Sequence, residues 1–389
     1  MALTGAPTVC LAVLALLASS TLLLVGWSQL RRLRWGCWPA RLSLLAASQC
    51  CAVVLVALLV NDQFAFYQNW AELLGSHPRQ GQPAIAEGQQ DARLHGLLLA
   101  NFHAGRGTLV SMPVPGVRSK VHAAPATVYL PPQYGDPAMA NRSFPVVELL
   151  SGFPGGPASW LRDLHVRQLL DSMIKHGQSA PFIAVIPVQN VASPRDTECV
   201  NVLGGPQVDS YLSYDVRTAT ARAFRASAAG SQWTVLGYST GGYCAVDLSL
   251  RHPGMFSAAV SLAGYNAPAH DRSTGSLFGH RPWLARAFSP IWLVEHGKLA
   301  PQHVLLVATK ADPVSLYEAR QLAGQNRSPV QMSVLALPRG GHNFATFAAE
   351  LPTGIGWLSR YVATPLAPIP TVDGRSPHQV ANHRAQAVS

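Results

Sequence analysis

The sequence predicts a three-layer α/β sandwich around a mixed, mostly parallel sheet, preceded by an N-terminal two-helix transmembrane hairpin. Three observations support this prediction. Two uncharged apolar runs lie near the start of the chain, and further on short β-rich apolar runs alternate with longer helical stretches. One of these runs leads through Gly237-Tyr-Ser-Thr-Gly241 directly into a helical stretch. Early strands in succession followed by β–α alternation are typical of a mixed sheet covered by helices on both faces.

The composition excludes several classes of protein and partner. The 389 residues are 48% hydrophobic and 12% charged, which is incompatible with intrinsic disorder, and no repeat period is visible. The net charge of +10 is not gathered into a basic face, so no nucleic-acid partner is expected. The six cysteines lack the spacing of zinc ligands, and neither a metal nor an organic cofactor is expected.

Residues 1–62 are predicted to form the transmembrane hairpin, with spans at about residues 8–27 and 42–60. Each run approaches the ~20 residues that a helix needs to cross the hydrocarbon core. Four arginines lie between or at the start of the runs: Arg31, Arg32, Arg34 and Arg41. The positive-inside bias places them in the cytoplasm, so we expect a plasma-membrane protein whose remaining chain is extracytoplasmic. The alternatives are a cleaved signal peptide followed by a buried helix, and two core helices of a soluble protein.

The rest of the chain divides into a linker, a domain and a tail. Residues 63–106 are predicted to be a juxtamembrane segment and linker, because residues 75–93 are rich in Gly, Pro, Gln and Ser. Residues 107–364 are predicted to form one α/β domain. The polar, proline-containing residues 365–389 are expected to be a disordered tail.

Within the domain, several apolar runs do not alternate with polar residues, as expected of strands buried on both faces of a parallel sheet. The predicted strands are residues 108–114, 126–130, 146–150, 182–187, 234–237, 258–262, 303–308 and 330–336. The predicted helices are residues 160–175, 214–228, 241–251, 316–323 and 344–361.

Ser239 is the candidate nucleophile. It lies in a Gly-x-Ser-x-Gly pattern between an apolar strand and a helix, where a sharp turn lifts the hydroxyl above the sheet. Glycines two residues before and after it are needed because larger side chains would collide at such a turn. The five-residue pattern alone arises often by chance among 32 glycines, and the strand and helix around it raise its weight. The alternative is an ordinary β–α turn with a surface serine.

A serine nucleophile needs a base and an orienting acid, which follow it in the order acid then histidine in this architecture. Asp312 ends one apolar strand, and His342 follows the next strand through a glycine loop. Both therefore lie where the carboxyl ends of parallel strands meet. The alternative role for Asp312 is an N-cap of the following helix, with Glu318 as the substitute acid. His252 and His296 are the alternative bases.

Acyl transfer also needs two N–H donors for the tetrahedral oxyanion. The backbone of Thr240, directly after the serine, is one candidate, and the backbone of Phe153 in the glycine-rich loop after an early strand is the other. The alternative for the second donor is an ordinary Gly/Pro turn. The two interpretations differ in whether that loop lies over the serine.

The long segment 264–299 is a candidate cap that would line an acyl pocket. It carries Trp283, Phe288 and Trp292. Aromatic residues at such spacing are also common in an ordinary core, and this alternative stays open.

From about residue 107 to residue 362 the chain resembles the esterase D/antigen 85 branch of the α/β-hydrolases, and it looks closest to the membrane-anchored esterases of actinobacteria. The resemblance rests on four motifs: Val128-Tyr-Leu-Pro-Pro-Gln-Tyr134, Leu149-Leu-Ser-Gly-Phe-Pro-Gly155, Gly237-Tyr-Ser-Thr-Gly-Gly242 and Gly340-Gly-His-Asn343. It implies a triad of Ser239, Asp312 and His342, with oxyanion donors at Phe153 and Thr240. Antigen 85-like enzymes use Glu as the acid and carry a second His in a Trp-rich stretch, whereas the equivalent residues 353–357 here lack a His.

The segment from Arg195 to Cys199 also resembles these esterases. Cys199 and Cys244 are the only cysteines outside the predicted hairpin, where conditions allow oxidation. We expect them to form a disulfide that ties this loop to the helix after the nucleophile. The alternative is one buried and one surface thiol.

The resemblance and the residues together predict a membrane-anchored, extracytoplasmic serine esterase or acyltransferase. Its substrate would be a small ester, an acyl donor or an envelope lipid, and the reaction would pass through an acyl-enzyme. The alternative is a catalytically inactive protein that keeps the fold for binding or anchoring in the cell envelope.

Overall fold

The computed structural model describes residues 6–29, 37–64, 91–325 and 327–362. The chain divides into two compact units, Met1–Gly81 and Gln82–Ser389. The residues between 65 and 90, which the sequence assigns to the linker, and the predicted tail after residue 362 lie outside the described residues.

The first unit is a pair of antiparallel helices, α1 (Ala6–Gln29) and α2 (Cys37–Phe64). Pro7–Trp27 and Trp38–Val60 are long and apolar enough to cross a membrane. The helices contact each other through Ser20 and Ser48, whose hydroxyls lie 3.2 Å apart. Arg41 of α2 donates to the carbonyl of Trp27 at 2.9 Å, which closes the hairpin near its turn.

The second unit contains all eight predicted strands and the helices around them. The strands are β1 (Thr108–Met112), β2 (Ala126–Leu130), β3 (Val146–Leu150), β4 (Ile183–Ile186), β5 (Trp233–Tyr238), β6 (Ala258–Leu262), β7 (Gln302–Thr309) and β8 (Val330–Leu337). The helices are α3 (Asp91–His103), α4 (Pro157–Arg162), α5 (Val166–Lys175), α6 (Val208–Ser210), α7 (Arg217–Ala223), α8 (Thr240–Arg251), α9 (Pro282–Ala287), α10 (Pro290–His296), α11 (Pro313–Gly324) and α12 (Phe344–Leu358).

The strands form one sheet in the order β1-β2-β4-β3-β5-β6-β7-β8. β2 pairs antiparallel with β1 and with β4, and every other pair is parallel. The parallel strands β3, β5 and β6 are buried along their whole length, as apolar strands covered on both faces should be. The structure therefore confirms the predicted mixed, mostly parallel sheet.

Two cores lie on opposite faces of the sheet. The first core contains Leu212, Tyr243 and Leu316 from helical segments on one face of the sheet. The second core contains Trp160 and Leu351 from helices on the opposite face. This gives the three layers of the predicted sandwich.

Three predicted boundaries were wrong. The single helix at residues 160–175 is two helices, α4 and α5, because His165 between them adopts a left-handed conformation with φ 47°. The helix expected at residues 214–228 begins as a π-helical segment, Tyr211–Val216, and ends at Ala223. Part of the expected linker is the helix α3, and the amide of Asn101 donates to Thr108 at 2.8 Å. The folded domain therefore begins before residue 107.

Candidate active site

Ser239 occupies the sharp turn between β5 and α8, with φ 55° and ψ −123°. Such a backbone conformation is costly for a residue with a side chain, and it persists because the surroundings fix it. The Ser239 N–H donates to the carbonyl of Leu262 at 2.8 Å, and its own carbonyl accepts from the Gly242 N–H at 2.8 Å. A Cβ on Gly237 or on Gly241 would overlap a neighbouring backbone carbonyl, which explains the two glycines of the pattern.

His342 lies between two structures that fix its position. Before it, the Thr309 hydroxyl at the end of β7 donates to the carbonyl of Gly340, a glycine with φ 110°. After it, the side chain of Asn343 caps α12 by accepting from the N–H of Thr346 at 3.0 Å. The imidazole Nε2 lies 2.8 Å from the Ser239 hydroxyl.

Asp312 contacts the partners of both roles that the sequence offered for it. Its Oδ2 lies 2.8 Å from Nδ1 of His342, on the opposite side of the ring from Ser239. The same carboxylate caps α11, because it accepts from the Ser315 hydroxyl at 2.7 Å and from the Ser315 N–H at 3.3 Å. Burial acts to raise the pKa of Asp312, but these hydrogen bonds and the one from His342 outweigh it and hold the pKa below its usual value. Asp312 is therefore an ionised partner for the imidazole.

The alternative acid and bases have other partners. The carboxylate of Glu318 accepts from the backbone N–H of Asn266 at 3.1 Å. Nε2 of His252 lies 2.8 Å from Asp209, and His296 stacks on Trp292 with ring centroids 4.9 Å apart. The structure thus brings together Ser239, His342 and Asp312, rather than these alternatives.

The loop after β3 lies beside Ser239. Gly152 is so close that a Cβ on it would approach the Cβ of Ser239 to 3.0 Å. Phe153, the candidate oxyanion donor, follows it directly, and Thr240, the other candidate, is the first residue of α8. The loop therefore lies at the serine, as the oxyanion interpretation requires.

Two residues that sequence reasoning missed hold this loop. The side chain of Gln189 accepts from the Ser151 N–H at 2.8 Å and donates to the Ser151 carbonyl, and Asn190 donates to the carbonyls of Gly152 and Gly155. Both residues lie two to three positions after the end of the predicted strand at residues 182–187, and that position at the carboxyl edge of the sheet was the available signal.

Cys199 and Cys244 are joined by a disulfide, with a Cα–Cα distance of 5.8 Å. Cys244 lies on α8, so the bond ties the loop around Cys199 to the helix that begins directly after the nucleophile.

The aromatic residues of segment 264–299 divide between core and surface. Phe288 is buried with Val200 and Leu277 in a small separate core. Trp283 is 60% exposed, and Trp292 packs on His296. Phe288 therefore follows the core interpretation.

A serine on a strained strand-to-helix turn, at the carboxyl edge of an eight-stranded, mostly parallel sheet between two helical layers, defines the α/β-hydrolase class. A family model described as "Putative esterase" matches residues 122–358. Because this match spans more than half of the chain, the chain belongs to the esterase family, a family of carboxylic ester hydrolases.

An uncharacterized protein of Corynebacterium glutamicum is 25% identical over 269 residues, which cover 65% of this chain and 62% of that protein. The chain thus matches about three-fifths of that relative's length.

Solved structures with a similar fold include a ferulic acid esterase, with TM-score 0.55 and 17% identity over 66% of this chain and 98% of that one. An S-formylglutathione hydrolase from Agrobacterium tumefaciens has TM-score 0.54 and 19% identity over 66% and 95%. Serine hydrolase F of Staphylococcus aureus, which binds fluorophosphonates, has TM-score 0.53 and 16% identity over 65% and 99%. At these identities the likeness concerns the fold.

Proposed function

We propose that the protein is a serine esterase or acyltransferase that works through a triad of Ser239, His342 and Asp312. The observation that carries the proposal is the pair of 2.8 Å contacts on the two sides of one imidazole, to the serine hydroxyl and to the carboxylate. This arrangement lets His342 accept the hydroxyl proton while Asp312 stabilises the imidazolium that forms.

In the first half of the reaction, the Ser239 oxygen attacks the ester carbonyl carbon and its proton passes to Nε2 of His342. The backbone N–H groups of Thr240 and Phe153 donate to the resulting oxyanion. The intermediate collapses with release of the alcohol, which takes the proton from His342, and the acyl group remains on Ser239. In the second half, water or an acceptor hydroxyl gives its proton to His342 and attacks the acyl carbon. The bond to Ser239 then breaks, His342 returns the proton to the Ser239 oxygen, and the acid or the new ester leaves.

The enzyme is further proposed to be anchored in the plasma membrane by α1 and α2, with its second unit outside the cytoplasm. Two helices of sufficient length and apolarity, together with the arginines of the intervening sequence, support this topology. Its substrates would be small esters, acyl donors or envelope lipids. Protease added to intact cells is expected to degrade the second unit, and complete protection would contradict this orientation.

Hydrolysis of p-nitrophenyl esters of graded acyl length, with and without an alcohol acceptor, tests the catalytic proposal. The full chain in detergent should hydrolyse at least one ester, and Ser239→Ala should lower kcat about 10⁵–10⁶-fold, by analogy with the loss of a nucleophile in other serine hydrolases. Ser333→Ala, at an exposed position on β8, is the matched control and should retain full activity.

Two outcomes would contradict the proposal. One is equal hydrolysis by Ser239→Ala and the unchanged protein. The other is a folded protein that neither hydrolyses any ester nor reacts with a fluorophosphonate, and this result would favour the non-catalytic binding or anchoring role.

A further inference from the structure

A buried polar network adjoins the turn that carries Ser239, which we call the nucleophile turn. The side chain of Thr240 links the network to this turn. The network comprises Asp196, Glu198, Thr240 and Tyr265, and we call it the Thr240 network. Asp196 and Glu198 belong to the loop that carries Cys199, whereas Tyr265 follows β6 by three residues. The triad does not use any of these four side chains.

Short contacts link the four side chains in series. The Tyr265 hydroxyl lies 2.8 and 2.7 Å from the two carboxylate oxygens of Glu198, and 3.2 Å from the hydroxyl of Thr240. The Thr240 hydroxyl in turn lies 3.4 Å from Oδ2 of Asp196. The backbone N–H of Glu198 donates to Oδ1 of Asp196 at 2.9 Å, and the two carboxyls are close enough for the charge of Asp196 to act on Glu198.

Both carboxyls are withdrawn from water without a cationic partner among the described residues. Glu198 is 1% exposed and Asp196 is 3% exposed. The nearby Arg195 donates instead to the carbonyls of Thr274 and Ser276. The other ionisable groups around the pair are Asp271, which acts on both carboxyls, and Tyr243, whose ring stacks on Tyr265 at 5.1 Å. Two adjacent buried carboxyls in this setting disfavour double ionisation.

Burial raises the pKa of Glu198, repulsion from Asp196 raises it further, and the result is about 8. Burial likewise raises the pKa of Asp196. Near neutral pH Glu198 therefore retains its proton.

The retained proton decides which side chain donates each hydrogen bond in the Thr240 network. Tyr265 has one hydroxyl hydrogen and cannot donate it both to Glu198 and to Thr240. If Glu198 is protonated, it donates to the Tyr265 oxygen, Tyr265 donates to Thr240, and Thr240 donates to ionised Asp196. Each neighbouring pair of side chains in the series then shares one hydrogen bond. If both carboxyls are ionised, Tyr265 donates to Glu198, and the single hydrogen of Thr240 goes either to Tyr265 or to Asp196, so one of these two contacts of Thr240 contains no hydrogen.

We propose that one proton held by Asp196 and Glu198 keeps this donor chain intact, and that Glu198 and Tyr265 are thereby positioning residues for the oxyanion-binding N–H of Thr240. The inference rests on the proposed function, since it concerns the oxyanion site of that reaction. Loss of the proton removes one of the two hydrogen bonds that fix the Thr240 side chain. It also adds a second buried negative charge beside the place where the oxyanion forms, which disfavours the transition state.

The expected pH dependence follows from the sign of this change. The proton is present at neutral pH and is lost as the pH rises through about 8, so kcat should fall on the alkaline side. KM should change little, because the oxyanion exists only after attack.

The test measures kcat and KM between pH 6 and about 10 for p-nitrophenyl butyrate, with product followed at the isosbestic wavelength of p-nitrophenol. The full chain in detergent is compared with Glu198→Gln, whose amide can donate to Tyr265 and cannot ionise. We expect this variant to keep kcat at pH 7 within about threefold and to lose the alkaline decline. Tyr265→Phe should lower kcat about tenfold at pH 7 with KM within about twofold.

Glu148→Gln is the matched control. Burial also raises the pKa of Glu148 to about 8, but this residue lies on β3 and makes no hydrogen bond to the nucleophile turn among the described residues. This control should retain the alkaline decline. Thermal unfolding at each pH keeps any loss of folded protein separate from a loss of kcat.

Several results would overturn the inference while leaving the proposed function intact. These are an active enzyme without an alkaline decline in kcat, a decline that persists in Glu198→Gln, and a decline that Glu148→Gln abolishes equally. A Tyr265→Phe variant with unchanged kcat per folded molecule would do so as well. If the unchanged protein has no Ser239-dependent activity at any pH, the proposed function itself fails.

Discussion

Two acidic regions contact the nucleophile turn, and they hold their carboxyls in opposite states. Asp312 reaches Ser239 through His342, and hydrogen bonds from Ser315 and His342 offset its burial and keep its pKa low. Asp196 and Glu198 reach the turn through Thr240, and their burial without a cation raises the pKa of each. The carboxyl of Asp312 is therefore ionised, whereas Glu198 in the other region retains its proton near neutral pH.

The difference agrees with the charge that each region faces during acyl transfer. Positive charge develops on the imidazole beside Asp312, so an ionised carboxylate stabilises the transition state there. In the proposed reaction negative charge develops at the oxyanion beside Thr240, so a network that retains one proton is preferable there to one with two ionised carboxylates. The environment, rather than the residue type, assigns the two roles.

The largest expected effect comes from neutralising the ionised region. Asp312→Asn should lower kcat about 10⁴-fold. The amide has the same size as the carboxylate, but it favours the wrong tautomer of His342. Glu318→Gln, at the position of the alternative acid, should lower kcat no more than about threefold. Steady-state kinetics on one ester measures both variants, and a larger loss for Glu318→Gln would reverse the assignment.

The second effect concerns the loop that carries the protonated region. Replacing both cysteines, Cys199→Ser with Cys244→Ser, removes a crosslink between positions 45 residues apart. The free energy of unfolding should fall by about 3–4 kcal/mol, since the unfolded chain gains conformational freedom. Urea unfolding in detergent measures this loss. Mass mapping without reductant should recover one linked peptide pair from the unchanged protein, and two free thiols would show that the crosslink does not form.

The third and smallest effect concerns Gln189, whose side chain holds the loop after β3 that carries Phe153. Gln189→Ala removes both hydrogen bonds to Ser151 and should lower kcat about 10–100-fold, because the N–H of Phe153 loses its fixed position. KM should change less than kcat. The side chain of Gln189 also lies 3.6 Å from the sulfur of Cys199. Equal kcat for the variant and the unchanged protein would remove Phe153 from the proposed oxyanion site.

The sequence was most informative where local constraints determine structure. The turn at Ser239 could be predicted because only glycine fits at positions 237 and 241. The edge position of Asp312 and His342 followed from two apolar strands that end just before them. The α3 helix was missed because it overlaps a segment rich in residues typical of linkers, and its stability comes from packing on the domain.

Contacts between residues far apart in the chain were beyond sequence reasoning. Tyr265 and Glu198 are 67 residues apart, and Gln189 and Ser151 are 38 apart, and no motif links the members of either pair. The contacts of the Asp312 carboxylate were likewise not predictable in full from the sequence. The N-cap and triad roles were competing hypotheses in the sequence, and the structure shows that one carboxylate contacts both partners through two oxygens.

The most direct test of the central claim is the site and rate of covalent modification by a fluorophosphonate. The full chain should gain one phosphonyl group, which peptide mass mapping should place on Ser239. His342→Ala should slow the modification at least about 10³-fold, because the hydroxyl then lacks its base. Modification of a different residue, or an equal rate in His342→Ala, would contradict the claim that His342 activates Ser239.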